Sequence, residues 1–450
     1  MKNPIFSFLS MALTALSLTS CDDFLDAKPN KALVTLDSLN DLQAVLDNTL
    51  NTMNAHTFIP LLSSDEFYTN NAGISGLPFW QQNVFLYVHP PFGEDAVILD
   101  WQRPYAQIFY ANVVLDEIDK IKTENIQELS RKKEIKGSAH FHRAYAYFNL
   151  LQVFADSFDP SASNEMPAVP KRINADPNIK PEMGTVSEMY RFVIEDLETA
   201  IENLPEKNQP LTRPSKLAAY GMLARVYLNM EDYAKALEFS RKALEIDDSL
   251  IDYSELNLGL SNPFGVFNKE IIFYSEYLFS GFFTGQLSMV NGEFYDSYEA
   301  KDLRKSAFFT PRLGGWVNYT GYYSGSSRYF GGLTTAEMLL INAECRARSG
   351  DYKSTEGLLG RLLEKRYETG EAPSLEFNSE EEALTFILQE RIKELFGRGI
   401  RWSDLRRLNR DSRFAKTIEK NIEGQIYTLP PNDPRYTLPI PPREVNLDLL

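Results

Sequence analysis

Trp316, Tyr319, Tyr322, Tyr323 and Tyr329 crowd into residues 314–330, set among Gly314, Gly315, Gly321 and Gly325 with serines between them. This mixture suits contact rather than bond-making. Tyr, Ser and Gly together resemble the make-up of adaptable binding surfaces. A flat indole or phenol ring stacks on the apolar CH face of a pyranose, while the sugar's rim hydroxyls take hydrogen bonds from Asn, Asp and Arg nearby. Two readings stay open for the rings: display for a ligand, or simple cover for a helical frame. A second aromatic group, Phe79-Trp80 and Trp101, has the same two readings, with Tyr68 and Asn70 close by in sequence.

Residue types that would do harder chemistry are sparse or unpatterned. The four histidines are His56, His89, His140 and His142. The last two stand two apart on a helical stretch, so they face different ways and cannot make the i, i+4 ligand pair of a zinc helix. Gly397-Arg398-Gly399 follows a helix instead of a strand and lacks a third glycine, so it is no dinucleotide loop. There is no Walker lysine motif and no Gly-x-Ser-x-Gly elbow. The 62 acidic residues leave many pairs that could stand at glycosidase spacing, and nothing singles one out. The pattern calls for no catalytic residue, no metal and no cofactor. A formal net charge of −16 repels phosphate backbones, which argues against nucleic acid.

Cys21 carries the targeting signal. It follows Lys2, an apolar run from Ile5 to Leu18, and Leu18-Thr19-Ser20. This is the form of a secretory signal ending in a bacterial lipobox. On that reading residues 1–20 are removed and Cys21 becomes an acylated N-terminus, anchored to a membrane without spanning it. An ordinary cleaved signal with an incidental cysteine is the alternative. Cys345 is then the sole remaining thiol, so an exported chain would rely on packing and not on disulfides.

The elements that must position these residues read as helices with clear punctuation. After a tether at 21–37, residues 38–50 predict a helix starting at Ser38, and residues 101–121 and 135–154 predict two longer ones. Residues 60–100 lack a helical period and read as loop. Five prolines in 155–186 exclude a helix interior there. Thr185 and Glu188 form a capping box opening a helix to Leu204. Residues 215–247 match a tetratricopeptide repeat, with Tyr220, Leu223, Ala224 and Tyr227 on one helix and Ala236 and Ala243 on the next. Aligning Asp351-Tyr352 on Asp232-Tyr233 makes 334–365 a degenerate second copy. The last long helix opens at Asn378 or Ser379 and ends near Gly397 and Gly399. The arginines after it (Arg398, Arg401, Arg406, Arg407, Arg410, Arg413) read as scaffold, paired with Asp404, Glu390, Glu394 and backbone carbonyls, and Trp402 reads as core.

Several blocks in order resemble the SusD/RagB family of Bacteroidetes surface lipoproteins: Cys21-Asp22-Asp23-Phe24-Leu25-Asp26; Ser64-Asp65-Glu66; Trp101 with Tyr105, Ile108 and Asn112; Arg143-Ala144-Tyr145; the repeat; and Arg401-Trp402 through Leu438-Pro439-Ile440-Pro441. Phe154-Ala155-Asp156 departs from the family's usual tyrosine-glycine pair, and Arg398 from its usual residue. The resemblance implies a SusD-like fold: mostly α, tetratricopeptide-like helix pairs with long irregular insertions, divided here into 38–250, a loop-rich insertion at 251–333, and 334–450. It also implies a non-catalytic lipoprotein at the cell surface on the outer membrane. Such a protein captures an oligosaccharide and passes it to a SusC-like TonB-dependent transporter. The expected ligand contacts are Trp80, Trp101, Trp316, Tyr319, Tyr322 and Tyr68. Peptide or glycopeptide capture, a protein-binding tetratricopeptide scaffold and a lipid-anchored glycosidase are the other readings.

Overall fold

A computed structural model describes residues 36–278, 280–284 and 287–446. Cys21, the signal at 1–20 and nearly all of the tether at 21–37 lie outside the described residues.

Helix α1 (Leu39–Leu46) turns Leu39, Leu42 and Leu46 inward, as its leucine spacing predicts. Two long helices follow, α2 (Leu99–Ile118) and α3 (Ile126–Phe154). Asn125 caps α3 by accepting the Glu128 N–H, so the helix starts well before its apolar stripe. Its opening turns are charged and solvated, and periodicity alone misses them. α4 (Val186–Asn203) opens on the predicted capping box: the Thr185 hydroxyl accepts from the Glu188 N–H while the Glu188 carboxylate accepts from the Thr185 N–H.

The repeat at 215–247 forms α5 (Lys216–Asn229) and α6 (Tyr233–Ile246), capped by Ser215 and Asp232. Ala224, Ala236 and Ala243 are fully buried, which lets the two backbones come close. The degenerate copy forms α7 (Thr335–Arg348) and α8 (Tyr352–Leu363). α6 packs on α7, where Asn342 donates to the Ser240 hydroxyl at 3.2 Å. α9 (Glu380–Glu394) is capped by Ser379 as predicted, and α10 (Ile400–Leu408) follows Gly397 and Gly399, both at positive φ. A Cβ on Gly399 would stand 1.8 Å from the Tyr277 hydroxyl, so only glycine lets the chain pass.

The stretch 60–100 corrects its loop reading. It holds short helices at Ile59–Ser63, Asn71–Ser75 and Phe79–Phe85, each too brief to show a 3.6-residue period. The proline-rich excursion folds back as a hairpin, Pro167–Lys171 against Glu182–Thr185.

Residues 251–333 hold only short elements, tied to distant parts of the chain by two-stranded pairings. Glu276–Tyr277 runs parallel to Ala55–His56, Ile271–Phe273 pairs with Leu333–Thr334, and Met289–Val290 with Phe67–Tyr68. The first and third ladders fasten the insertion to the N-terminal segments at 55–56 and 67–68, and the second closes it on the residues before α7.

The C-terminal arginines are scaffold, with partners that differ in part from expectation. Arg407 is held by Glu344 and Asp404, and Arg401 by Asp65. Arg406 donates to the carbonyls of Leu151, Gln152 and Ala155, satisfying the open end of α3. Glu390 and Glu394, expected to take these arginines, instead enclose Arg304 and Arg366. Arg304 and Arg366 stand far from those carboxylates in sequence, and only the fold brings them together. Trp402 is buried and stacks on Tyr436. Among the described residues no helix is long and apolar enough to cross a membrane.

Candidate functional site

A cavity of about 490 Å³ opens where the insertion meets the turn after α1 and the first turns of α2. Its walls are mostly apolar, from Ala55, Leu99, Val266, Phe267, Tyr274 and Leu278, with Asn54, Arg103, Glu276 and Arg328 supplying polar groups. Such a mixture is the ordinary make-up of a small-molecule site.

Three local devices build this cavity. First, Gly325 at φ +75° carries no side chain, and the Gly265-Val266 backbone rests directly on it. The Asn268 side-chain amide donates to the Tyr323 carbonyl and fixes the other end of the same loop. Second, Phe267, between these anchors, stands at φ +55° and is 41% exposed. A bulky residue in the left-handed region is a genuine outlier, and held strain of this kind clusters at ligand sites. Its ring meets Tyr274 edge-on, with centroids 4.9 Å apart. Third, the Glu276 carboxylate accepts from the Tyr274 and Ser326 hydroxyls and lies 3.7 Å from Arg328. Burial first, and then Glu276, push the Tyr274 hydroxyl well above its ordinary pKa, so it stays a neutral donor. Asn54 donates to the carbonyls of Thr212 and Tyr274, locking the floor to the N-terminal helices. The result is one displayed ring beside a carboxylate and two guanidinium groups.

The aromatics singled out in the sequence lie elsewhere. Tyr319 is corrected outright: it is 5% exposed, packed among Phe308, Phe309, Tyr329 and Phe396, with its hydroxyl on the Gly321 carbonyl. Its strand turns that ring toward the core. Tyr323 and Tyr329 are buried too, and Tyr322 is half-buried against Tyr319 and Tyr329. Trp101 is 3% exposed, packing on Phe154 and Tyr105, and reaches only the wall of a second cavity of about 420 Å³ beside Pro170 and Pro177.

Trp316, Tyr68 and Trp80 keep part of their rings open. Trp316 is half-buried and folds over Gly314, where a Cβ would stand 2.1 Å from the indole. Tyr68 is half-exposed on the strand paired with Met289, and Asn318 donates to the neighbouring Ser288 carbonyl, so Tyr68 and Trp316 belong to adjacent segments. Trp80 leans on Phe58 and Phe92, and its neighbour Phe79 is the more exposed ring. None of these six residues lines the 490 Å³ cavity, although the segment 314–330 reaches it through Arg328.

Sequence reasoning missed Phe267, Tyr274, Glu276, Arg103 and Asn54. One signal was available for Phe267: Pro263-Phe264-Gly265-Val266-Phe267 places two rings in turn chemistry inside the loop-rich insertion, and insertions of that size are usually functional. Nothing local marks the others, which converge from three distant parts of the chain.

The chain is similar to known proteins along most of its length. A family model described as "Starch-binding associating with outer membrane" matches residues 23–228, and the SusD family model matches residues 267–448. A tetratricopeptide model matches residues 217–249. The SusD-like protein P2 of Formosa agariphila is 24% identical over 486 residues, covering 91% of both chains. A SusD superfamily protein of Bacteroides thetaiotaomicron superposes with a TM-score of 0.75 at 20% identity, over 91% of this chain and 98% of that one. A Bacteroides vulgatus structure described as a SusD-like carbohydrate binding protein gives 0.69 at 21% identity, over 92% and 96%. Likeness at such identities carries the fold and not the ligand.

Proposed function

The chain belongs to the SusD/RagB family, and from that premise we propose that it is a non-catalytic receptor that captures an oligosaccharide in the cavity beside Phe267. Phe267 is the observation that carries this reading. It is an open ring held in a strained backbone at a largely apolar cavity, which Arg103, Glu276 and Arg328 also line. A pyranose needs that combination: a π-face for its CH surface and charged or amide groups for its hydroxyls.

Trp316, Tyr68, Tyr322 and Trp80 are then outer contacts for a longer chain, and Trp101 is a packing residue. The finer parts of the reading follow the family. Acylated Cys21 holds the mature protein on the outside of the outer membrane, and a SusC-like TonB-dependent transporter receives the bound sugar. The helix pairs supply a broad rigid face for that partner.

Calorimetry of the purified protein against a glycan panel tests the site. Phe267→Ala should weaken the best ligand at least about tenfold, the scale of a lost stacking contact, and Trp316→Ala less. Equal affinity of the wild type and Phe267→Ala for every glycan bound would remove the cavity from the account. Binding of peptides in place of sugars would replace the ligand class.

A further inference from the structure

Phe267 borders two hollows. Besides the cavity above, it lines a second of about 250 Å³ with Lys207, Asn208, Ser249 and Lys269. The ring therefore forms a ridge between two lobes. A single sugar unit can occupy one lobe, but only a chain crossing the ridge occupies both, stacking a unit on Phe267 as it passes.

The charge of the two lobes runs against that of the protein. The chain carries a formal net charge of −16, yet the lobes present Arg103, Arg328, Lys207 and Lys269 against Glu276 and Asp247. Both carboxylates are already engaged. Glu276 accepts from Tyr274 and Ser326 and lies 3.7 Å from Arg328, and Asp247 pairs with Lys207 at 2.6 Å, which leaves the lobes with two more cations than carboxylates. Lys269 is exposed on the same loop as Phe267. In an acidic protein such a basic excess, set at both sides of a displayed ring, favours an anion over a neutral ligand.

We propose that this two-lobed site takes a linear acidic oligosaccharide, with its carboxylate or sulfate ester groups held by Arg328 and Lys269 and a sugar ring stacked on Phe267. The proposal rests on the glycan-capture reading and narrows its substrate class. Guanidinium and ammonium groups differ here in use: the planar fork of Arg328 suits a bidentate acid group, and Lys269 acts as a point charge.

The test is calorimetry of the mature chain with oligogalacturonides of one to six units, the same series as methyl esters, and sulfated galacto-oligosaccharides with their desulfated forms. At least one acidic series should bind about tenfold or more tightly than its neutralised counterpart, with trimers and longer far above the monomer. The series that binds identifies the acid group. Arg328→Ala and Lys269→Ala should each weaken the acidic chain about fivefold or more, and Lys269→Ala should leave the neutralised chain within about twofold, with unchanged circular dichroism showing both variants folded. Equal affinity for acidic and neutral chains, no dependence on length, or no effect of either substitution would overturn the proposal. If neutral glycans still bind in a Phe267-dependent way, glycan capture stands and the acidic assignment falls. If no glycan of any kind binds, both fall.

Discussion

Gly325 and Val266 meet backbone to backbone: a Cβ on Gly325 would stand 2.2 Å from the Val266 nitrogen. The contact seats the loop that carries Phe267 on the segment that carries Arg328, so one glycine couples two walls of the cavity.

Gly325→Ala should therefore cost stability and binding together. The left-handed backbone alone costs an L-residue roughly 1–2 kcal/mol, and displacing the Val266 backbone adds about 1–3 kcal/mol. Urea unfolding should show a lowered midpoint, and glycan affinity should fall in the protein that remains folded. A variant with wild-type stability and affinity would mean that the loop is not seated there.

A second prediction concerns the charges under the insertion. Arg304 is fully buried among Asp302, Glu390 and Glu394, within 2.7 to 3.2 Å of each. Removing it strands carboxylates in a dry interior, at about 3–5 kcal/mol. Arg304→Ala should unfold at a much lower denaturant concentration than the wild type, and Arg413→Ala, at an exposed pair, should change stability by less than about 1 kcal/mol.

How much of this was legible in the sequence differs between frame and site. Helix ends announced themselves: Thr185 with Glu188, and Ser379, cap where local chemistry says they should, because a cap is a short-range device. The one-turn and two-turn helices between Ile59 and Phe85 did not, since a period needs several turns to repeat. The site was harder. Tryptophan is the residue sequence reading reaches for, yet Trp101 buries its ring against Phe154, and a large apolar ring gains as much from a core as from a ligand. Tyr319 sits in a glycine-rich stretch that looks open, but its strand pairing with Phe309 turns it inward. Arg103, Glu276 and Arg328 line one cavity only through long-range packing and strand pairing, which a single sequence does not encode in any local signal.

Stability should also depend on pH through Glu66. Burial raises its carboxyl from an ordinary 4.5 to about 7, against the opposing hydrogen bonds from the Gly397 N–H and Ser64. A carboxyl whose folded pKa lies above its unfolded one stabilises the protein while protonated, below about 4.5, and loses that contribution as pH rises through about 7. Glu66→Gln keeps a neutral side chain throughout. Its stability relative to the wild type should climb between pH 4.5 and 7, by about 3 kcal/mol, and then level off. Asp65 is shifted the other way, with Arg401 and Lys416 outweighing its burial, but it is present in both proteins and drops out of the difference. A difference that stays flat across this range would contradict the assignment.

The most direct measurement is a crystal structure with the tightest oligosaccharide from the calorimetric panel. A sugar ring is expected packed about 3.5–4 Å from the Phe267 ring, the range of optimal carbon contact, with acid or hydroxyl groups on Arg328 or hydroxyls donating to Glu276. A ligand seated over Trp316 and Tyr68, with the cavity beside Phe267 holding no sugar, would contradict that placement.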